Sequence, residues 1–271
     1  MTDPSAQAGA SLYQAFLPNP TFADGRHLNA FLLQLQTNYS ALVFRSDLNW
    51  ADLRLVCIAD SSLGNVAKYS QGGFFILLCS ASKGTLVCGN CCILSYKGSK
   101  SKRVASSTLH AECLALVSGT EEATFLQTWL LELVSPQLST MELINSGAET
   151  LVPIVGLTDC KDLLDVITKS AITAVSNKAM LLYIACLREL RETKRIDTYG
   201  WVDTRDNVAN AQTKLNADGT LPSEPVTHML KHASWEPREP FRWGQSLCDP
   251  THFVHVPLKL MPVSKTVTNT K

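Results

Sequence analysis

The sequence predicts an α/β fold in which helices flank a mixed five-stranded sheet. Three apolar segments separated by short polar stretches come first, and this order is typical of consecutive antiparallel strands. A long helical pattern follows, and the next apolar segment is short and continuous, as in a parallel strand buried on both faces. We therefore expect three antiparallel strands, to which later strands are added in parallel.

The first three strands are predicted over residues 53–60, 72–80 and 85–97, which are rich in β-branched, aromatic and other apolar residues. The polar sequence SSLGN follows the first strand, and we interpret it as a turn. The fourth and fifth strands are predicted over residues 151–158 and 197–203.

The helices are predicted from apolar residues at helical spacing. The longest is expected over residues 109–133, and three hydroxyl residues before it, Ser106, Ser107 and Thr108, are candidate N-caps. Residues 28–44 show helical spacing that changes to a strand-like end. Shorter helices are expected at 161–168, 177–195, 208–215 and 225–232.

The charge composition argues against a protein that binds nucleic acid over its whole surface. The chain has 24 Lys and Arg against 24 Asp and Glu, so its formal net charge is zero. Any grip on phosphates must therefore come from a local patch. The sequence KGSKSKR is such a patch, and we interpret it as a loop in which Lys97, Lys100, Lys102 and Arg103 contact phosphates. The alternative is an ordinary solvated loop.

The cysteines indicate a reducing compartment. Their number is nine, which is odd, and most lie in apolar runs, where free thiols pack as small hydrophobic groups. We therefore expect an intracellular protein, cytoplasmic or nuclear. The group Cys88, Cys91 and Cys92 also suggests zinc, but the sequence offers no well-spaced partner ligands, so core packing is the favoured interpretation. The apolar runs are too short to span a bilayer, and no membrane partner is expected.

Three carboxylates occupy positions where an unpaired charge is unfavourable. Glu112 shares one face of the long helix with Leu109 and Leu116, so it should point toward the sheet. Asp60 and Asp159 follow buried strands, whose ends meet in a common crevice. Together the three could hold Mg²⁺. Taken singly, the aspartates could be turn formers, and Glu112 could pair with a Lys or Arg.

Four segments in order resemble the ribonuclease H domain of copia-type long-terminal-repeat retrotransposon polyproteins, at the C-terminal end of the reverse transcriptase region. They are LRLVCIADSSLGN with SQGGFFILL, then ILSYKGSKSKRVASSTLHAECLAL, then VGLTDCKDLLDVITKS, and finally RIDTYGWVDTRDNVANAQTKL. The resemblance covers about residues 50–215. It implies residues 1–50 to be a leader with a remnant of the reverse transcriptase connection, 51–215 to be a ribonuclease H-like domain, and 216–271 to be a C-terminal extension.

The resemblance also implies a set of metal ligands. Asp60, Glu112 and Asp159 match the first three carboxylates of the family, which hold two Mg²⁺ or Mn²⁺ ions. The family's fourth ligand is an Asp three residues before Thr-Lys, and Asn210 stands there in this chain. Asn keeps an oxygen but loses the charge, so the second ion should bind weakly. Asp206, four residues earlier, is a possible substitute.

The implied activity is two-metal-ion cleavage of the RNA strand in RNA/DNA hybrids. The reverse transcriptase domain of the same polyprotein is an expected partner. Two alternatives stay open: a decayed or repurposed module that binds nucleic acid without cutting it, which Asn210 favours, and another nuclease on the same scaffold, such as an integrase-like or resolvase-like enzyme. A preference for duplex DNA or a junction over an RNA/DNA hybrid would distinguish this other nuclease from a ribonuclease H.

Overall fold

The computed structural model describes residues 4–14, 18–37, 42–49, 52–66, 69–80, 89–134, 139, 141–142, 152–169, 177–220, 224–238 and 242–243. Within this part of the chain, five strands form the centre of one mixed sheet. They are β1 (Leu53–Val66), β2 (Tyr69–Ser80), β3 (Gly89–Lys100), β4 (Ile154–Thr158) and β5 (Thr198–Trp201).

The pairing confirms the predicted fold class. β1 and β2 are antiparallel, as are β2 and β3, whereas β4 is parallel to β1 and β5 is parallel to β4. Two strands of two residues each extend the edges: β6 (Ser234–Trp235) pairs with β3, and β7 (Arg242–Trp243) pairs with β5. The sheet order is β6-β3-β2-β1-β4-β5-β7, so the described sheet has seven strands where five were predicted.

Helices accompany the sheet in the part of the chain that the structure describes. They are α1 (Pro4–Gln14), α2 (Phe22–Thr37), α3 (Thr108–Val134), α4 (Lys161–Thr168), α5 (Lys178–Glu192), a 3₁₀-helix (Val208–Gln212) and α6 (Val226–His232). The strand-like end predicted within residues 28–44 is absent from its described part, because α2 continues to Thr37 and residues 42–44 form no strand. Among the described helices, none has the length and apolarity needed to cross a membrane.

The two faces of the sheet carry separate hydrophobic cores because alternate side chains of a strand point to opposite faces. Leu55 and Cys57 of β1 pack with α3, α4 and α5, whereas Val56 and Ile58 pack with the 3₁₀-helix and α6. Helix α1, which lies in the segment expected to be a leader, contacts β3 and the 3₁₀-helix. Its Gln7 side chain accepts a 3.3 Å hydrogen bond from the Gly98 amide.

Two predicted boundaries in the sheet were wrong. The SSLGN sequence is not a turn: β1 continues through it, with Ser61 opposite Gly72 and Ser62 opposite Gln71. The KGSKSKR sequence is a loop only in its second half, since β3 continues to Lys100 opposite Gln71. In both places the ladder with β2 satisfies the backbone groups, and this outweighs the local turn preference of Ser and Gly.

The predicted helix ends also needed correction. The segment 208–215 forms a 3₁₀-helix that ends at Gln212, and Asn207 caps it by accepting a 2.9 Å hydrogen bond from the Ala209 amide. The helix predicted over 177–195 ends at Glu192, shortly before Lys194 adopts a φ of 55°. A left-handed residue of this kind stops the helical ladder.

Candidate metal centre

Three elements bring the predicted carboxylates together. β1 and β4 are parallel neighbours with Ala59 beside Thr158, so Asp60 and Asp159, the next residue of each, lie at the same level. Glu112 is in the second turn of α3. Ser107 caps this helix, since its hydroxyl accepts a 3.1 Å hydrogen bond from the His110 amide.

The three side chains form one cluster. One oxygen from each of Asp60, Glu112 and Asp159 lies within 4.8 Å of the other two. Asp60 is 0% exposed and Glu112 is 5% exposed, while Asp159 is partly buried. Oε1 of Glu112 accepts a 3.3 Å hydrogen bond from the Ser61 amide. Its other oxygen, Oε2, is buried and has no hydrogen-bond partner among the described residues.

Burial and repulsion from neighbouring carboxylates raise the pKa values of Asp60 and Glu112. Burial is the main cause that raises the pKa of Asp60 to about 6, and the charge of Asp159 adds to it, although Lys214 and Thr213 act in the opposite direction. For Glu112, burial followed by the charges of Asp60 and Asp159 raises the pKa to about 9. In the described part of the chain, the three carboxylates have only the ammonium group of Lys214 beside them, and a bound cation would supply the remaining positive charge.

The donor set fits a hard divalent cation. Carboxylate oxygens are the ligands that Mg²⁺ and Mn²⁺ prefer, and the unpartnered Oε2 of Glu112 is an oxygen that a cation would satisfy. No other group of three His, Cys, Asp or Glu side chains in the described residues is close enough to hold a metal. Asp60, Glu112 and Asp159 are therefore the candidate ligands.

Asn210 lies beside this cluster, but its amide oxygen is already engaged. It accepts a hydrogen bond from Nζ of Lys214, and the amide nitrogen donates a 2.6 Å hydrogen bond to the Thr204 carbonyl. Asp206, the possible substitute, faces elsewhere. Its carboxylate accepts a 2.9 Å hydrogen bond from the Arg238 amide. Nε of the Arg238 guanidinium lies 3.6 Å from Oδ1 of Asp206.

Two residues that the sequence analysis did not single out contact Asp60 directly. Nζ of Lys214 lies 3.1 Å from Oδ1 of Asp60, and the hydroxyl of Thr213 donates to Oδ2. Both belong to the Thr-Lys pair that ends the last segment of the resemblance. That pair was the available signal, but a sequence gives no indication of which carboxylate it would meet.

Two of the four basic residues lie on the strand that leads to this end of the sheet. Lys97 and Lys100 are on β3, where Lys100 pairs with Gln71, which itself pairs with Ser62 of β1. Two strand spacings separate β3 from β1, a distance of about 10 Å. Lys102 lies in the loop that follows and is exposed.

Two of these cations lie over aromatic rings. Nζ of Lys100 is 2.8 Å from the ring centroid of Tyr69, and the guanidinium carbon of Arg103 is 5.0 Å from that of Tyr183. These contacts leave the charges at the surface, because all four basic residues are exposed. We call these four exposed residues, Lys97, Lys100, Lys102 and Arg103, the positive rim.

The cysteines in the described residues are free thiols, and five of the seven are buried. Cys91 packs in the core with α6, and the sulfur of Cys92 accepts a 3.1 Å hydrogen bond from the Arg45 amide. The core-packing interpretation holds for these two residues. Cys88 lies outside the described residues.

Comparison with known proteins finds no matching family model and no matching curated protein. Solved structures that resemble the chain include three ribonucleases H. The N-terminal RNase H domain of Rv2228c from Mycobacterium tuberculosis, solved as a fusion with maltose-binding protein, is 17% identical with a TM-score of 0.37, over 59% of this chain and 91% of that one.

The second is RNase H1 from the halophilic archaeon Halobacterium salinarum NRC-1, which is 14% identical with a TM-score of 0.36, over 59% of this chain and 93% of that one. The third is LC11-RNase H1 in complex with an RNA/DNA hybrid, which is 11% identical with a TM-score of 0.34, over 57% and 88%. At these values the likeness carries no argument about activity, which has to come from the residues of the site.

Proposed function

We propose that this chain is a retrotransposon-type ribonuclease H that hydrolyses the RNA strand of RNA/DNA hybrids with divalent metal ions. The observation that carries the proposal is the carboxylate cluster, in which oxygens of Asp60, Glu112 and Asp159 lie within 4.8 Å of one another. Three acids grouped this closely carry more negative charge than the single ammonium group of Lys214 can balance, and binding of a metal ion relieves this excess. The order of the sequence segments, which resembles the copia-type family, supports the choice of reaction.

Each residue has a role that its position suggests. Asp60 and Asp159 are fixed by neighbouring strands, and Glu112 is held from the other side by the Ser61 amide. A divalent ion bound to them would activate a water and stabilise the leaving oxygen. The three carboxylates would fix the position of the ion, and the reaction would need no covalent intermediate between substrate and protein.

The proposed substrate follows from the charge distribution and the resemblance. Lys97, Lys100, Lys102 and Arg103 would contact the phosphates of a hybrid, whose recognition depends on shape rather than on base edges. Asn210 is proposed as a site residue beside the three carboxylates. The reverse transcriptase domain of a common polyprotein is the proposed partner, and residues 51–215 are the proposed catalytic domain.

The test is cleavage of a labelled RNA/DNA hybrid in Mg²⁺ and in Mn²⁺. We expect cleavage by the parent protein and its loss in Asp60→Asn and Glu112→Gln. Asp197→Asn is the matched control, because Asp197 is a partly buried carboxyl that precedes β5 and so lies at the opposite end of the sheet. Equal loss in all three variants, or preferred cleavage of duplex DNA or a junction, would contradict the proposal.

A second candidate is a ribonuclease H-like module that binds nucleic acid without cutting it. One observation favours it: the oxygen of Asn210, where the family has a carboxylate, is bound to Lys214 rather than free to hold a metal. This candidate requires hybrid binding without cleavage by the folded parent protein in either metal. Cleavage that depends on Glu112 would exclude it.

A further inference from the structure

The ammonium group of Lys214 lies between Asp60 and Asn210, where its positive charge faces the carboxylate of Asp60. Its ammonium nitrogen lies 3.1 Å from Oδ1 of Asp60 and also donates to the oxygen of Asn210. The hydroxyl of Thr213 donates to the other oxygen of Asp60. Both oxygens of this carboxylate are therefore engaged by consecutive residues of one segment.

The segment that carries Lys214 is held firmly against β1. Asn207 donates a 3.3 Å hydrogen bond to the Ala59 carbonyl, and the hydroxyl of Ser62 donates a 2.8 Å hydrogen bond to the Thr213 carbonyl. Thr213 is fully buried, whereas the Lys214 side chain is 34% exposed. The ammonium group thus extends from a fixed backbone position, which distinguishes it from a surface lysine that only passes near a carboxylate.

The ammonium group of Lys214 limits which ions can bind between Asp60 and Asn210. A second divalent ion between Asp60 and Asn210 would have to share an oxygen with the ammonium group, and the two cations would repel each other strongly at such a separation. Asn210 brings no negative charge to offset that repulsion. An ion held by Glu112 and Asp159 meets two carboxylates instead, and at Asp60 it can share Oδ2, whose hydrogen-bond partner, the Thr213 hydroxyl, is uncharged.

We propose that Lys214 takes the place of a second divalent cation, so that the site binds one divalent ion through Asp60, Glu112 and Asp159. This inference rests on the proposed function. Lys214 is a positioning residue that holds the Asp60 carboxylate and completes the charge balance of the site. Asn210 receives a second hydrogen bond of the ammonium group, a role for which an uncharged oxygen suffices.

The experiment counts Mn²⁺ ions bound to the full chain without nucleic acid, by calorimetry and by the electron paramagnetic resonance of free Mn²⁺. The variants are Lys214→Met, Lys214→Arg, Asn210→Asp, and the double variant with Lys214→Met and Asn210→Asp. Lys178→Met is the matched control, because Lys178 is an exposed lysine at the start of α5. Circular dichroism checks that each variant is folded.

We expect one ion in the parent, in Lys214→Arg, in Asn210→Asp and in the control, and two ions in the double variant. Lys214→Met alone should bind its single ion more tightly by about tenfold or more, because a neighbouring positive charge is gone. Two ions in the parent, or one ion in a folded double variant, would overturn the role of Lys214 while leaving the metal site intact. No Mn²⁺ binding in any variant would overturn the proposed function itself.

Discussion

Gly73 lies opposite Asp60 in the β1–β2 pair and directly beneath Gln212 of the 3₁₀-helix. A Cβ atom built on Gly73 would lie only 2.4 Å from Cβ of Gln212 and 3.1 Å from the Lys97 carbonyl. The missing side chain lets the segment that carries Thr213 and Lys214 approach the sheet. This close approach is a condition for the contacts that Lys214 makes with Asp60.

Gly73→Ala should therefore destabilise the protein by about 1–3 kcal/mol, since the inserted methyl group forces the 3₁₀-helix away from β2. Gly72→Ala is the matched control on the same strand, because its Cβ would meet only Ala115 at an ordinary 3.7 Å. Urea unfolding of both variants measures the difference. Equal free energies of unfolding would show that the close approach at Gly73 is not needed.

Glu112→Gln should stabilise the metal-free protein. The pKa of Glu112 is raised by burial and by its acidic neighbours to about 9. Its side chain stays protonated in the fold at neutral pH but ionises in the unfolded chain, which lowers stability as pH rises above the unfolded value. Gln avoids this penalty because it carries no charge.

The response to Mg²⁺ should be opposite. The parent protein should gain thermal stability as Mg²⁺ is added, because an ion that binds only the folded state shifts the equilibrium toward it, whereas Glu112→Gln should gain little. Thermal melts at pH 7 with Mg²⁺ and with EDTA give both measurements. A Mg²⁺ shift of the same size in parent and variant would remove Glu112 from the set of ligands.

The succession of the five main strands along the chain could be predicted because it depends on local patterns. The group Asp60, Glu112 and Asp159 could be predicted because two of them follow buried strands, the third lies on a core-facing helix position, and all three match the family that the segments resemble. The continuation of β1 through Ser61 and Ser62 could not, since these residues are typical of turns and only the ladder with β2 makes them a strand. The two-residue strands at the edges are too short to show a periodicity. The approach of Lys214 to Asp60 joins residues 154 positions apart, and no spacing rule indicates such a contact.

Asp197 should make stability fall as pH rises through the weakly acidic range. Burial is the main cause that raises its pKa from 3.8 to about 6, and the charge of Arg54 opposes it. The folded protein therefore binds more protons than the unfolded chain between about pH 4 and pH 6, so stability present below this range is lost across it. Oδ2 of Asp197 is also buried without a hydrogen-bond partner among the described residues.

Asp197→Asn should accordingly be more stable than the parent by about 1–3 kcal/mol at pH 7 and nearly equal to it below pH 4. Asp165→Asn serves as the control, because Asp165 is an exposed carboxylate on α4. Urea unfolding at a series of pH values separates the two. A difference between parent and Asp197→Asn that does not change with pH would mean that titration of this group is not the cause.

The positive rim should contribute to hybrid binding through its charge. Replacing Lys97, Lys100, Lys102 and Arg103 with Gln should weaken binding. Each phosphate contact that is lost reduces the number of counterions that the hybrid releases when the protein binds. The slope of log affinity against log salt should become shallower by up to about 0.9 per contact. Fluorescence anisotropy with a labelled RNA/DNA hybrid in EDTA measures binding while cleavage is prevented. The controls are Lys178→Gln and Lys194→Gln, which remove exposed charges from α5 and from the turn after it. They should leave the slope unchanged. If each control charge reduces the slope as much as each charge of the positive rim does, the rim has no special role.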